Sequence, residues 1–347
     1  MSASAPGSEA GAVGAAAGGE APLGVLLFNL GGPDDQASVE PFLVNLFSDR
    51  EIIELPFGAR AQPLMARLIA KLRGPSVRRN YASIGGGSPQ LRLTREQAAA
   101  LQQRLSRNGR AARVAIAMRY WQPDTESALA ALEAWGVRRV VTLTLYPHYS
   151  SATTGSSVRE LERVLARPRW RDRFEVSRID AWPEQPDYLE ALAERVRAAL
   201  EGFPAGRRDR VVLLFSAPGL PQRFVDRGDP YVEQTEATMR GVLQRLAAPN
   251  RHVLGFQSRT GPVRWIGPGT EQVLRRLGSE GVTEVLVIPL SFVTDHIETL
   301  YEVDQLFAED ARKAGITDYR RSEALGTHPR FIEALGALVE QHLEERP

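Results

Sequence analysis

Short apolar runs alternate with longer amphipathic segments along the chain, and this alternation limits its possible folds more than any other feature. Runs rich in Val, Leu, Ile and Phe are expected of strands buried on both faces. They lie at residues 24–30, 114–118, 140–145, 211–215, 253–256 and 285–290. Amphipathic segments at residues 95–107, 187–200, 231–246, 270–277 and 330–343 predict helices. Strands alternating with helices over 347 residues predict two α/β domains with parallel sheets.

The charge balance and the absence of cysteine exclude several classes of function. The net charge is +1, so the sequence does not predict binding to nucleic acid. With no cysteine, the chain has no disulfides, thiolate zinc sites, cysteine nucleophiles or cysteine-held iron–sulfur clusters. No apolar run reaches transmembrane length. Residues 1–22 predict a disordered tail without the features of a secretory signal, so we expect a cytoplasmic protein.

Acidic residues and a histidine cluster directly after the last internal apolar run, within residues 292–302. If a helix begins near Asp295, that residue caps it and Glu298 takes the capping-box position. Glu298 and Glu302 then share one helix face and repel each other. A capped surface helix and a site for a hard cation or for proton transfer both account for this spacing. Open α/β sheets bind ligands at the carboxyl ends of strands, which favours the site.

Other strand ends carry residues that suit a flat, anionic ligand. Arg119 and Tyr120 follow the second apolar run, and Tyr146 and His148 follow the third. An arginine beside aromatic side chains suits such a ligand, although a surface arginine next to core aromatics has the same sequence. The first run ends in Gly-Gly-Pro at residues 31–33, without the spaced glycines of a dinucleotide site, so NAD binding is not predicted.

Residues 63–73 form an amphipathic segment with a basic face. The pattern predicts a helix that either lies on a membrane surface or packs against the rest of the protein. The sequence leaves both alternatives open.

A set of short motifs resembles the ferrochelatase family, whose members insert ferrous iron into a porphyrin during haem synthesis. They include Asn-Leu-Gly-Gly-Pro at residues 29–33 and Arg-Gly-Asp-Pro-Tyr at residues 227–231. The others lie at residues 84–89, 119–120, 146–157, 215–217, 257–258, 265–268 and 295–302. The resemblance runs from about Val25 to the C-terminal helix.

This resemblance implies two similar Rossmann-like domains, each with a mostly parallel sheet flanked by helices, and a porphyrin cleft between them. The C-terminal helix is expected to pack back on the first domain. The first domain would then comprise residues 23–150 plus 325–347, and the second would comprise residues 151–324.

The resemblance also implies roles for individual residues. Glu298 matches the family's acidic residue, which binds metal or accepts protons, and Glu302 would assist it with the metal. Asp295 and His296 complete the supporting acidic route. The residues expected to contact the porphyrin are Leu30, Arg119, Tyr120, Tyr146, Trp182, Ser216 and Trp265. Ferrous iron is then a substrate, and the lack of cysteine predicts no iron–sulfur cluster.

One position departs from the family pattern. The family motif reads Phe-Ser-Ala-His-(Gly or Ser)-Leu-Pro, whereas residues 215–221 read Phe-Ser-Ala-Pro-Gly-Leu-Pro. Pro218 thus replaces the histidine that faces the acidic residue across the cleft, and proline has neither a base nor a metal-binding atom. His148 stands where the family usually has glutamine. It either supplies the missing imidazole or is a harmless replacement.

Three functions fit these observations. The chain is a working ferrochelatase for protoporphyrin IX or coproporphyrin III, a degenerate paralogue that binds porphyrin or haem without inserting metal, or a chelatase for another metal or tetrapyrrole. Retention of Glu298, Arg119 and Trp265 favours the first, whereas Pro218 favours the second. The residues do not separate iron from cobalt, because both metals accept imidazole and carboxylate ligands.

Overall fold

The computed structural model describes residues 22–50, 52–53, 58–107, 109, 111–257 and 263–346. The tail predicted over residues 1–22 lies outside this part of the chain except for Pro22. The described strands form two four-stranded sheets, and all neighbouring strands in them are parallel. The prediction of an α/β fold with two parallel sheets flanked by helices is therefore confirmed.

The first half of the chain supplies one sheet. Its strands are β1 (Leu23–Asn29), β2 (Ala112–Met118), β3 (Arg139–Thr144) and β4 (Glu175–Ile179). The helices between them are α1 (Val39–Ser48), α2 (Gly58–Ala82), α3 (Gln90–Leu105), α4 (Thr125–Ala134) and α5 (Thr154–Leu165). The order across the sheet is β2-β1-β3-β4, and every residue of the central strand β1 is buried. This burial explains why β1 appears in the sequence as an unbroken apolar run.

The second half repeats this arrangement. Its strands are β5 (Val212–Ala217), β6 (His252–Phe256), β7 (Glu284–Pro289) and β8 (Asp318–Arg321), in the order β6-β5-β7-β8. Its α-helices are α6 (Pro186–Glu201), α7 (Gln222–Asp226), α8 (Tyr231–Leu246), α9 (Thr270–Ser279), α10 (Ala308–Lys313) and α11 (Pro329–Glu345). A 3₁₀ helix at Ala205–Arg210 and a π-helix at Glu298–Phe307 complete it. The two halves therefore share one strand order.

The edge strands β4 and β8 were not predicted from the sequence. Their sequences, Glu-Val-Ser-Arg-Ile and Asp-Tyr-Arg-Arg, carry charged residues because an edge strand is covered on fewer sides. β4 pairs with β3, so the first sheet continues to Ile179, past the boundary predicted at residue 150. The division into residues 23–150 plus 325–347 and residues 151–324 stays a prediction. It assigns β4 to the second domain, although β4 pairs with the first sheet.

One continuous core joins the two halves. It includes Leu27 of β1, Leu286 of β7 and Phe331 of α11, all fully buried. Helix α11 also packs on α3, where Arg104 donates hydrogen bonds to both carboxylate oxygens of Glu340 at 2.9 and 3.0 Å. The expected contact of the C-terminal helix with the first half is thus present, and α11 also contacts α6.

The carboxyl ends of the two sheets face each other. His148 follows β3 and Ser291 follows β7, and the His148 Nδ1 atom lies 2.6 Å from Ser291 Oγ. Ligands bind outside the carboxyl ends of strands in open α/β sheets. The candidate site is therefore expected where the carboxyl ends of the two sheets meet.

Candidate active site

Residues Glu298–Phe307 form a π-helix, a rare form with i→i+5 hydrogen bonds that is frequent at functional sites. Its N-cap is Ile297, so the helix begins later than expected. The prediction that Asp295 caps it is wrong, because Asp295 Oδ1 accepts a hydrogen bond from Arg321 Nη1 at 2.9 Å. Arg321 belongs to β8, the strand that sequence analysis missed, and it also pairs with Asp304.

Glu298 is the first residue of this helix and lies between the two halves. Burial raises the pKa of Tyr81 in α2 and of Tyr231 in α8, and the charge of Glu298 adds to both shifts. Burial likewise raises the pKa of Glu298 to about 8, with a further contribution from Glu302. The Glu298 Oε2 atom is buried and has no hydrogen-bond partner among the described residues. Glu298 is therefore neutral at pH 7 and ionises near pH 8.

His296 is buried against Phe292, with the ring centroids 3.9 Å apart. Its Nδ1 atom donates to the Thr294 carbonyl at 3.2 Å, so Nε2 carries the unprotonated lone pair. That Nε2 atom is buried without a partner in the described part of the chain. Burial lowers the pKa of His296 to about 4. The ring is therefore a neutral imidazole with one unused nitrogen, two residues before Glu298.

His148 lies in the core with only 1% of its surface exposed. The Thr238 hydroxyl donates to the Pro183 carbonyl at 2.6 Å, so it accepts from His148 Nε2 at 2.8 Å. The other ring nitrogen, Nδ1, accepts from Ser291 Oγ at 2.6 Å. Burial lowers the pKa of His148 to about 3. Both nitrogens are thus occupied, which favours a structural role over that of a substitute catalytic imidazole.

Pro218 directly follows β5. The Tyr231 hydroxyl donates to the Pro218 carbonyl at 3.0 Å, and the same hydroxyl lies 3.1 Å from Ser291 Oγ. Burial raises the pKa of Tyr231, and the charge of Glu298 adds to this shift. Tyr231 thus links position 218 to Glu298, and the proline at that position supplies no base.

The Arg119 side chain is hydrogen-bonded to other residues of the protein. Its Nη2 atom donates to Asp49 Oδ2 at 2.8 Å and its Nε atom donates to Ser156 Oγ at 2.7 Å. The same Asp49 oxygen accepts from the Tyr120 hydroxyl at 2.7 Å. Asp49 is buried, so Arg119 neutralises a buried carboxylate and brings little surplus charge to a ligand.

Arg119→Ala is expected to lower the free energy of unfolding by about 2–3 kcal/mol, because it removes the counter-charge of a buried carboxylate. Urea unfolding followed by tryptophan fluorescence measures the change. The control is Arg92→Ala, which breaks an exposed ion pair with Glu96 and should cost about 1 kcal/mol or less. Equal losses in the two variants would contradict a buried role for Arg119.

The remaining residues predicted to contact the porphyrin divide into two groups. Leu30 and Trp265 are half-buried and accessible. Trp182 and Ser216 lie in the core, where Trp182 Nε1 donates to the Thr144 carbonyl and Ser216 Oγ accepts from the Gln257 amide. Tyr146 is largely buried, and its hydroxyl has no hydrogen-bond partner in the described chain.

The structure adds groups that sequence analysis did not assign to the site. Ser291 has φ of +70°, a left-handed conformation that is uncommon outside glycine, and it bonds both His148 and Tyr231. Tyr81 approaches Glu298 from the first half. Tyr231 is the last residue of the motif at residues 227–231, so the sequence could have indicated it. Ser291 and Tyr81 belong to none of the motifs.

Comparison with known proteins places this geometry in a family. The family model for Ferrochelatase matches residues 22–343. The chain belongs to the ferrochelatase family. Ferrochelatase from Geotalea daltonii is 51% identical over 315 residues, which cover 91% of this chain and 96% of that protein. Ferrochelatase from Synechocystis sp. is 47% identical over 326 residues, which cover 94% of this chain and 84% of the relative.

The ferrochelatase match spans both sheets, the π-helix and most of α11, so the Glu298 site lies within it. Solved structures with a similar fold are more distant in sequence. SirB from Bacillus subtilis with Fe³⁺ has a TM-score of 0.52 at 17% identity and covers 72% of this chain and 91% of its own. The sirohydrochlorin chelatase SirB from Bacillus subtilis subspecies spizizenii in complex with cobalt has a TM-score of 0.52 at 13% identity and covers 94% and 97%. These two structures support the fold alone.

Proposed function

We propose that this ferrochelatase-family protein inserts Fe²⁺ into a porphyrin, either protoporphyrin IX or coproporphyrin III. The observation that carries the proposal is the Glu298 carboxyl, which lies between the facing sheets with a pKa of about 8. Insertion exchanges two pyrrole protons for one ferrous ion, so it needs a group that both accepts protons and attracts a cation. A carboxyl that ionises near neutral pH meets both needs.

Glu298 and Glu302 are the proposed metal-facing and proton-accepting pair. Burial raises the pKa of Glu298 and repulsion from Glu302 adds to the shift. An arriving cation relieves that repulsion and favours the ionised form. Among the described residues no three His, Asp or Glu side chains come together as a metal site. The pyrrole nitrogens would therefore supply most of the ligands as iron enters. His296 and Asp295 are proposed to support this route.

The proposed porphyrin position is between Leu30 of the first half and Trp265 of the second, at the carboxyl ends of both sheets. Arg119, Tyr120 and Tyr146 are proposed to form the wall behind it, with the Arg119–Asp49 pair fixing that wall. Trp182 and Ser216 are proposed to support the porphyrin site from the core, because both are buried there. No iron–sulfur cluster is proposed, because the chain has no cysteine.

A spectroscopic assay tests the proposal. Purified protein is mixed with Fe²⁺ and either porphyrin under anaerobic conditions, and the expected result is the metalloporphyrin spectrum at a rate above the protein-free control. A spectral shift on porphyrin binding without metal insertion would contradict the proposed reaction and identify a porphyrin carrier. Insertion of Co²⁺ with none of Fe²⁺ would identify a chelatase for another metal.

We also propose that α2 forms a peripheral membrane contact. No helix in the described ranges is both long and apolar enough to span a membrane. Within α2, Leu64, Leu68 and Leu72 are spaced four residues apart and are 72%, 51% and 72% exposed. Arg67 and Lys71 lie on the same helix. The exposure of these leucines means that this face of α2 does not pack against the described part of the protein. Exposed leucines on a basic helix suit an anionic membrane surface.

Replacing all three leucines of α2 by serine is expected to reduce binding to vesicles that contain anionic lipid by about tenfold or more. Vesicle sedimentation measures the bound fraction. Leu306→Ser is the control, because Leu306 is 40% exposed on a different helix. Equal binding by the triple variant, the control and the unmodified protein would exclude α2 as a membrane contact.

A further inference from the structure

A cleft of about 490 Å³ lies between residues of the two halves. One wall is formed by Arg50, Tyr149 and Ser151 from the first half, and the other by α7 and the turn that follows it. Two of the lining residues are chain neighbours of residues at the site. Arg50 directly follows Asp49, the partner of Arg119, and Pro230 directly precedes Tyr231, which senses Glu298.

Three arginines line this cleft, and we call it the arginine cleft: Arg50, Arg223 and Arg227. Within the described residues, none of these three guanidinium groups forms an ion pair with a carboxylate. Asp229 also lines the cleft, but its oxygens accept hydrogen bonds from the side chains and backbone of its neighbours. These donors are Ser150 Oγ, Ser151 N and Oγ, and Tyr231 N. Among the described residues, the lining has three arginines and one carboxylate, that of Asp229, so the cleft carries a net positive charge.

Arg223 is held in place at the cleft. Its Nη2 atom donates to the Ile52 carbonyl at 3.2 Å, and its guanidinium lies 5.1 Å from the centre of the Phe224 ring. Arg227, by contrast, is exposed. A guanidinium fixed in this way loses less entropy when it binds a carboxylate, and its planar donors match the two oxygens of that group.

We propose that the arginine cleft binds the peripheral carboxylates of the tetrapyrrole. This inference rests on the proposed function, because it places a porphyrin between the facing sheets. Arg119 was the cation expected from the sequence to face an anionic ligand, but Asp49 neutralises it. The arginine cleft instead carries guanidinium groups that form no ion pair with a described carboxylate. A porphyrin whose ring reaches Glu298 would extend its carboxylates toward Arg223 and Arg227.

The test compares two porphyrins in metal-free binding titrations followed by fluorescence. One carries free carboxylates, and in the other neutral hydroxyalkyl groups replace them. The double substitution Arg223→Gln and Arg227→Gln is expected to weaken binding of the carboxylate porphyrin about tenfold and to leave the neutral one unchanged. The control is Arg210→Gln with Arg275→Gln, which removes the same charge from two exposed residues outside the cleft.

Equal affinity of the double variant and the unmodified protein for the carboxylate porphyrin would overturn the proposal. Equal weakening for both porphyrins would also overturn it, because the arginines would then support the fold rather than bind carboxylates. If the double variant does not fold, Arg227→Gln alone makes the same comparison at an exposed residue. Iron insertion by the unmodified protein is measured separately, so failure of the proposed reaction is distinguishable from failure of this site.

Discussion

Glu298→Gln is expected to lower the rate of iron insertion by about 10²–10⁴-fold, the usual contribution of a positioned acid or base. Glutamine keeps the shape of the side chain but can neither accept a proton nor carry the negative charge that attracts Fe²⁺. Porphyrin binding should be retained, because the carboxyl is neutral at pH 7 before iron arrives. Stopped-flow absorbance measures the insertion rate, and fluorescence titration measures porphyrin affinity.

The control for Glu298→Gln is Glu309→Gln, which removes an exposed carboxylate of α10 that pairs with Lys313. It is expected to leave the rate unchanged. Undiminished turnover in Glu298→Gln would remove this residue from the mechanism, whatever the result at Glu309.

The raised pKa of Glu298 also predicts how the unmodified protein and Glu298→Gln depend on pH. The kcat/KM for iron in the unmodified protein should rise with pH and level off above about pH 8, as the carboxylate forms. Stability should change in the opposite direction. A carboxyl with a raised pKa in the folded state contributes stability that is present below its unfolded pKa and is lost as pH rises through about 8. Glu298→Gln does not ionise, so unfolding experiments should show it losing less stability between pH 5 and 9.

The fold was largely predictable because the central strands are buried on both faces. β1, β5 and β7 are apolar throughout or nearly so, and each appears directly in the sequence. The edge strands β4 and β8 were not predictable, because they are short and carry charged and polar residues in place of an apolar run. β4 also shows why the domain boundary was difficult to place, since a polar five-residue strand joins the first sheet after an intervening helix.

The site was only partly predictable for a related reason. Glu298 and Glu302 are predicted from the sequence because both follow one strand end, and their roles stay a proposal. Arg119 was also identified, but its pairing with Asp49 is a contact between residues 70 positions apart and has no local signature. The same holds for His148, whose bond partners Thr238 and Ser291 come from distant segments. Spacing in a sequence indicates which side chains share a strand end, whereas it does not indicate which of them are already paired.

Pro218→His is expected to raise the iron-insertion rate by about tenfold or more, since a positioned base typically contributes 10²–10⁴-fold. The Tyr231 hydroxyl contacts the Pro218 carbonyl, and the charge of Glu298 acts on Tyr231. The family resemblance implies that an imidazole at position 218 faces the proposed proton acceptor. The other imidazoles near the site are poor substitutes. His148 has both nitrogens bonded, and burial holds the pKa of His296 at about 4.

Pro218→Ala separates the effect of the imidazole from that of losing the proline ring, which restricts the conformation of Ala217. A gain in Pro218→His that Pro218→Ala does not share assigns the effect to the imidazole. His148→Gln should mainly lower stability, because it disrupts a buried hydrogen-bonded group, and should leave the rate near that of the unmodified protein. If His148→Gln instead abolishes insertion and Pro218→His restores it, then His148 is the catalytic imidazole despite its buried position. If neither the unmodified protein nor Pro218→His inserts iron while both bind porphyrin tightly, the carrier alternative is supported.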